Sequence, residues 1–265
     1  SLLDNSPLRR LLGESLDFGR ITSAIESGAL HSVSITCSGY SSGQSVSFFQ
    51  GHESLETWRR SQRVGAPAAL TLDHLMASSA IPFIFPAVHL NREWFGDGSM
   101  RQVAPVSPAI HLGADKIMVI GAGRLADENA RPRAEVYPSL AQIAGHALSS
   151  IFLDSMSVDL ERMSRINRTL TLIPESVRRG SEVSLRPIEV LVIAPSQRLD
   201  HLAARHAKAL PWPVRSLLRG IGAMNANGGA LTSYLLFEQS YTRALIELGY
   251  VDTLERSDEV RRFLG

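Results

Sequence analysis

The sequence predicts a single α/β domain over residues 1–265. Three observations carry that reading. Two short runs alternate polar and apolar residues, two others are compact and apolar, and helical periodicity falls between and after them.

Ser32–Cys37 and Ser45–Gln50 alternate as half-buried strands do. Lys116–Ile120 and Ile188–Ile193 are short apolar runs closed by Gly or Pro, and read as buried strands of a parallel sheet covered by helices. After Pro138, the residues Leu140, Ile143, Ala144, Ala147, Leu148, Ile151 and Phe152 recur at helical spacing and mark a core-facing stripe. Tyr234, Phe237, Tyr241, Leu245 and Leu248 mark a second helix, with Gly249 as its stop. Ala126–Pro138 and Arg178–Ser181 read as loops, neither long enough to demand a domain boundary. Residues 171–265 are the least informative, and Pro211-Trp212-Pro213 fits packing, a lid or a partner surface.

Composition removes several classes. The 27 Lys+Arg nearly balance 26 Asp+Glu, so the basic excess of a dedicated nucleic-acid binder is missing and no nucleic-acid partner is expected. Lys116 and Lys208 are the two lysines, which leaves 27 − 2 = 25 arginines. Arg59, Arg60 and Arg63 form a local cluster that reads as a solvated loop, with contact to anionic headgroups as the alternative. A lone cysteine, Cys37, excludes an intrachain disulfide framework and a Cys-based zinc cluster. No apolar run approaches the ~18 residues of a membrane span. His201 and His206 are five apart, which does not place both on one helical face, and no metal site is expected.

Three motifs carry chemical interest. Gly39-Tyr40-Ser41-Ser42-Gly43 has the G-x-S-x-G spacing of a nucleophile elbow, which needs a strand before the serine and a helix after it. Here Gln44–Phe49 continues with period two, so a hairpin loop is the reading and a Ser41 nucleophile the alternative. Gly121-Ala122-Gly123-Arg124-Leu125-Ala126 fits a dinucleotide fingerprint, but the following Asp127 and Glu128 would meet the pyrophosphate with like charge. Gly96-Asp97-Gly98-Ser99 sets one carboxylate between glycines at a strand end, where an Asx-turn and a functional carboxylate fit equally well.

The surroundings of Asp97 add to this. Ala77-Ser78-Ser79-Ala80-Ile81-Pro82-Phe83-Ile84-Phe85-Pro86 resembles the Ala-Ser-Ser-Ala-x-Pro-x-x-Phe-Pro run of patatin-like phospholipases. Gly96-Asp97-Gly98-Ser99 is similar to that family's Asp-Gly-Gly/Ala motif, and Ala104–Asp115 to its Pro-containing helix before the next strand. Asn5-Ser6-Pro7-Leu8 resembles the Thr-Ser-Pro-Leu segment that follows the family's nucleophile region. The resemblance covers roughly residues 4–123 and is vague beyond.

The resemblance implies a three-layer α/β/α domain that hydrolyses lipid acyl esters with a Ser–Asp dyad, Asp97 taking the serine proton and Gly96, Gly98 and Ser99 shaping its turn. It implies no metal or organic cofactor. The expected partners are a lipid or ester substrate and a membrane touched peripherally from the cytoplasm. In the family the Gly-rich oxyanion loop and the nucleophile elbow precede the segment matched by Asn5–Leu8. The expectation is therefore an N-terminally incomplete domain, inactive alone, whose bare sheet edge is covered by a missing N-terminal segment or a second copy. A self-contained esterase using Ser41 and a non-catalytic interaction or regulatory domain are the alternatives.

Overall fold

Residues 32–51 fold as the alternation predicts. In the computed structural model, which describes residues 3–121, 140–174, 176–177, 185–220, 223 and 229–265, β1 (Ser32–Gly39) and β2 (Ser45–Gly51) form an antiparallel hairpin. Its register pairs Cys37 with Val46 and Ile35 with Phe48. The chain divides into two compact units, Ser1–Ala114 and Asp115–Gly265.

The first unit is built on a six-stranded mixed sheet. Beside the hairpin lie β3 (Trp58–Arg60), β4 (Arg63–Pro67), β5 (Val88–Leu90) and β6 (Glu93–Asp97), in the order β3-β4-β2-β1-β6-β5. Only β2 and β4 run parallel; the other neighbours are antiparallel. Helices α1 (Ser6–Ser15), α2 (Gly19–Glu26) and α3 (Leu72–Ser78) precede or interrupt the strands, and α4 (Ser107–His111) follows them. Pro7 sits in the first turn of α1, where its missing N–H costs nothing.

Period-two alternation gives the sheet two unlike faces. One face presents Val33, Ile35, Cys37, Val46, Phe48 and Phe95, which pack with Ile21 of α2 and Ala77 of α3. Phe48 meets Phe95 edge-on at 5.4 Å and His74 at 4.8 Å. The other face carries Thr36 and Ser47, whose hydroxyls bond at 2.9 Å, together with Phe49, Trp58 and Leu112, the residue that follows α4. The unit is thus three-layered, with α2 and α3 on one side of the sheet and α4 on the other, and the fold class is α/β.

In the second unit, β7 (Lys116–Ile120) and β8 (Glu189–Ile193) pair in parallel, as their composition predicts. Lys116 Nζ donates to the Phe263 carbonyl at 2.9 Å, and Asn167 brackets Ile188 by donating to its carbonyl and accepting its N–H. The helices are α5 (Leu140–Thr171), α6 (Leu199–His206), α7 (Trp212–Gly220), α8 (Gly229–Ser233), α9 (Gln239–Glu255) and α10 (Ser257–Leu264). Leu202, Ala203, Leu218, Leu236, Tyr241 and Leu248 form the core of the unit.

Two helix expectations need correction. Tyr234 and Phe237 precede α9, and Gly249 does not stop it. The helix runs on because Leu248 and Asp252 are buried on its inner face, where the Asp252 carboxylate accepts the Ser196 N–H at 2.9 Å. Tertiary packing outweighs the roughly 1 kcal/mol propensity cost of an internal glycine. In α5, Ile143 is 46% exposed rather than core-facing. The expected loops at 126–138 and 178–181, and the fingerprint residues 122–126, lie outside the described residues.

Phe48→Ala should destabilise the protein by about 3–5 kcal/mol through the cavity it leaves between Phe95 and His74. Urea unfolding measures this, and a loss below about 1 kcal/mol would show that the Phe48 cluster is not the core of this unit.

Candidate active site

Asp97 closes β6 and opens a 3-10 turn, Gly98–Arg101, whose first N–H groups need an acceptor. Its carboxylate fills that role, taking the Ser99 N–H at 2.9 Å. The Asp97 N–H donates in turn to the Ala80 carbonyl at 3.1 Å. The same Ala-Ser-Ser-Ala segment ties the end of α3 to β1, because Ser78 Oγ donates to the Thr36 carbonyl at 2.7 Å. Ser79 Oγ folds back onto the Leu75 carbonyl of its own helix. Three segments that the sequence spaces far apart thus meet at one carboxylate.

Gly98 is required by contact with backbone, whereas Gly96 faces the end of the half-exposed Tyr40 side chain. A Cβ at Gly98 would collide with the Thr36 carbonyl oxygen, which is backbone and cannot yield. A Cβ at Gly96 would lie 2.6 Å from the Tyr40 hydroxyl. Ser38, 2% exposed, aims its hydroxyl at the Gly98 carbonyl from the neighbouring strand at 3.4 Å. The pairing Cys37↔Asp97 and Ser38↔Gly96 sets the start of this turn directly beside β1.

Asp97 is only 7% exposed. Burial raises its pKa above the ordinary carboxylate range, while the hydrogen bonds from the Ser99 backbone and hydroxyl pull the other way. Burial likewise pushes the Cys37 thiol up to about 12, aided by the Asp97 charge, so Cys37 is an inert core residue. Tyr40 is raised by burial first and then by the same charge. A carboxylate held in this way is a better proton acceptor than one in water.

The hairpin at 40–44 separates Ser41 from this carboxylate. Gly39 N–H donates to the Gln44 carbonyl, Gly43 turns at φ +64°, and β2 follows directly. The N–H groups of Ser41 and Ser42 both donate to Glu93 Oε1, at 2.7 and 2.5 Å. Glu93 stands at the opposite end of β6 from Asp97, four residues or roughly 13 Å away. Ser41 and Asp97 are not brought together. Glu93 organises the turn, and no local pattern in the sequence marks it; Gly39, whose Cβ would lie 2.6 Å from Glu93 Oε1, is the one indirect sign.

Residues 1–110 match the family model described as patatin-like phospholipase. This segment is patatin-like. The match covers the hairpin, the Ala-Ser-Ser-Ala run and the Asp-Gly-Ser turn of the 265-residue chain. No curated protein and no solved structure matches the chain. Among the described residues no group of three or more His, Cys, Asp or Glu side chains could hold a metal ion, and no helix is long and apolar enough to cross a membrane.

Because its folded-state pKa is raised, Asp97 holds its proton more tightly in the folded protein than in the unfolded chain. Its favourable contribution is complete below the unfolded carboxylate pKa and is lost as pH rises through the folded value. Asp97→Asn should accordingly be more stable than the parent at about pH 8, with the difference shrinking toward about pH 4. Urea unfolding at both pH values checks this; a parent more stable at the higher pH would contradict it. Gly98→Ala should cost about 1–3 kcal/mol in the same measurement, since the Thr36 backbone must move.

Proposed function

We propose that the protein is a lipid acyl hydrolase, a phospholipase or esterase, that works through a Ser–Asp dyad in which Asp97 accepts the serine proton. The serine and its oxyanion-stabilising loop are supplied, in this reading, by sequence N-terminal to Ser1. The observation that carries it is the buried Asp97 carboxylate, raised in pKa and fixed at the end of β6 by the Ser99 and Ala80 backbone. The patatin-like match over residues 1–110 supports the same chemistry.

A serine hydroxyl attacks an ester carbonyl only when a base within about 2.6–3.2 Å takes its proton. Asp97 suits that task in its ionised form, and burial makes that form more basic. After attack, the protonated Asp97 returns its proton to the leaving alcohol. The acyl-enzyme is then released by water, with the same carboxylate again taking a proton. The bond broken is the acyl C–O bond of the ester, and the products are a carboxylic acid and an alcohol. The Ser99 N–H holds the carboxylate in one orientation through both half-reactions.

The decisive assay uses the gene product with its N-terminal sequence in place and a short-chain nitrophenyl ester as substrate. Asp97→Asn should lower kcat by about 10²–10⁴-fold while the near-ultraviolet circular dichroism stays parental. Ser41→Ala should leave kcat unchanged. In the parent, kcat/KM should fall on the acid side at a pH above the ordinary carboxylate range, because the reactive form is ionised and its pKa is raised. Full activity in Asp97→Asn would exclude Asp97 as the base. An inactive parent with a folded Asp97 turn would favour a non-catalytic interaction domain.

A further inference from the structure

The arginines clustered at 59–63 are sorted by the pleat of the sheet. In the β3–β4 ladder Trp58 faces Gly65, Arg59 faces Val64 and Arg60 faces Arg63. Paired residues share a face and neighbours alternate, so Trp58, Arg60, Arg63 and Gly65 lie together, with Arg59 on the reverse side. Gly65 makes room for this group: a Cβ there would collide with the Trp58 indole. His111, at the end of α4, stacks on the same indole with ring centroids 4.9 Å apart and planes 15° apart. Phe49 stacks on Trp58 at 5.3 Å. Ring packing therefore sets an imidazole against the indole on the same face of the sheet as Arg60 and Arg63.

Among the described residues this group has no counter-charge. Arg63 Nε is buried without a hydrogen-bond partner. Arg60 spends one donor on the carbonyl of its neighbour Arg59, at 3.0 Å. Among the described residues neither Arg60 nor Arg63 has a carboxylate partner. A buried guanidinium N–H without an acceptor is costly, and two adjacent guanidinium groups repel each other. His111 is lowered in pKa by burial first and then by the positive charges of Arg60 and Arg63. An anion beside the exposed Arg60 guanidinium would offset the repulsion between the two cations.

We propose that Arg60, Arg63 and His111 form a binding site for a phosphate group, with the Trp58 indole as its wall. The guanidinium fork matches phosphate oxygens, and a half-buried imidazole adds a further donor. The site does not depend on the hydrolase reading. Asp97 pairs with Cys37, which lies on the other face of the sheet, so a phosphate held here is separate from the ester that reacts. Free phosphate and a lipid headgroup share this chemistry.

Histidine-labelled protein titrated with inorganic phosphate at constant ionic strength should show a saturable shift of the His111 ring resonance. Arg60→Gln should weaken that binding roughly tenfold or more, as expected for loss of a charge-assisted bond. Arg59→Gln, on the reverse face, should leave it unchanged. Co-sedimentation with phosphatidylcholine vesicles, with and without phosphatidic acid, separates the two sources. Saturable binding of phosphate alone assigns a soluble ligand, and selective binding of the phosphatidic acid vesicles assigns a headgroup. Absence of both overturns the proposal, and so does equal weakening by Arg59→Gln and Arg60→Gln, which would show diffuse charge. Arg63→Gln removes a partly buried group, so the exposed Arg60 carries the test if that variant does not fold. Hydrolytic activity is not read in any arm, so failure here leaves Asp97 untouched.

Discussion

The short antiparallel contact between β1 and β6 is the constraint on which the site depends. Only three residue pairs form it: Cys37 with Asp97, Ser38 with Gly96 and Gly39 with Phe95. At its end the Gly98 backbone lies against the Thr36 carbonyl, closer than any side chain would permit. The Ala80 carbonyl and Ser78 hydroxyl lock the end of α3 to the same place. A carboxylate at this point is buried by geometry, and its raised pKa follows from that burial. A loop aspartate with the same neighbours in sequence would stay hydrated and remain an ordinary weak base.

The two faces of the sheet divide the chemistry. The apolar face packs Phe48, Phe95 and Cys37 under α2 and α3, and holds Asp97 at its edge. The opposite face is rich in hydroxyls and ends in the Trp58–His111 stack beside Arg60 and Arg63. Alternation within a strand is enough to separate a buried carboxylate from a cationic cluster a few strands away, because adjacent side chains point in opposite directions. It also breaks up the arginine cluster, since Arg59 and Arg60 are neighbours in sequence but lie on different faces.

Much of the first unit was legible from pattern. The alternation at Ser32–Cys37 and Ser45–Gln50 predicted the hairpin, and continued period two after Ser42 pointed away from a nucleophile elbow. Asp97 was legible because two glycines and a matching upstream run framed it. Glu93 was not, since it acts across more than fifty residues on two N–H groups of the hairpin turn. Nor was the stack that brings His111 to Trp58, because no spacing rule links residues so far apart. In the second unit, the reading of Gly249 as a stop failed because propensity is weak beside the burial of Leu248 and Asp252.

The sequence by itself determined the α/β class, the hairpin, the parallel β7–β8 pair and the identity of the one framed carboxylate. These follow from periodicity and from residues whose backbone demands are local. Tertiary structure alone decided that Asp97 is buried, that Ser41 stands at the wrong end of β6, and that Arg60 joins Arg63 and His111 while Arg59 turns away. Burial, reach and charge without a partner are properties of pairs and clusters. They arise only once strands far apart in the chain have been set side by side in one register.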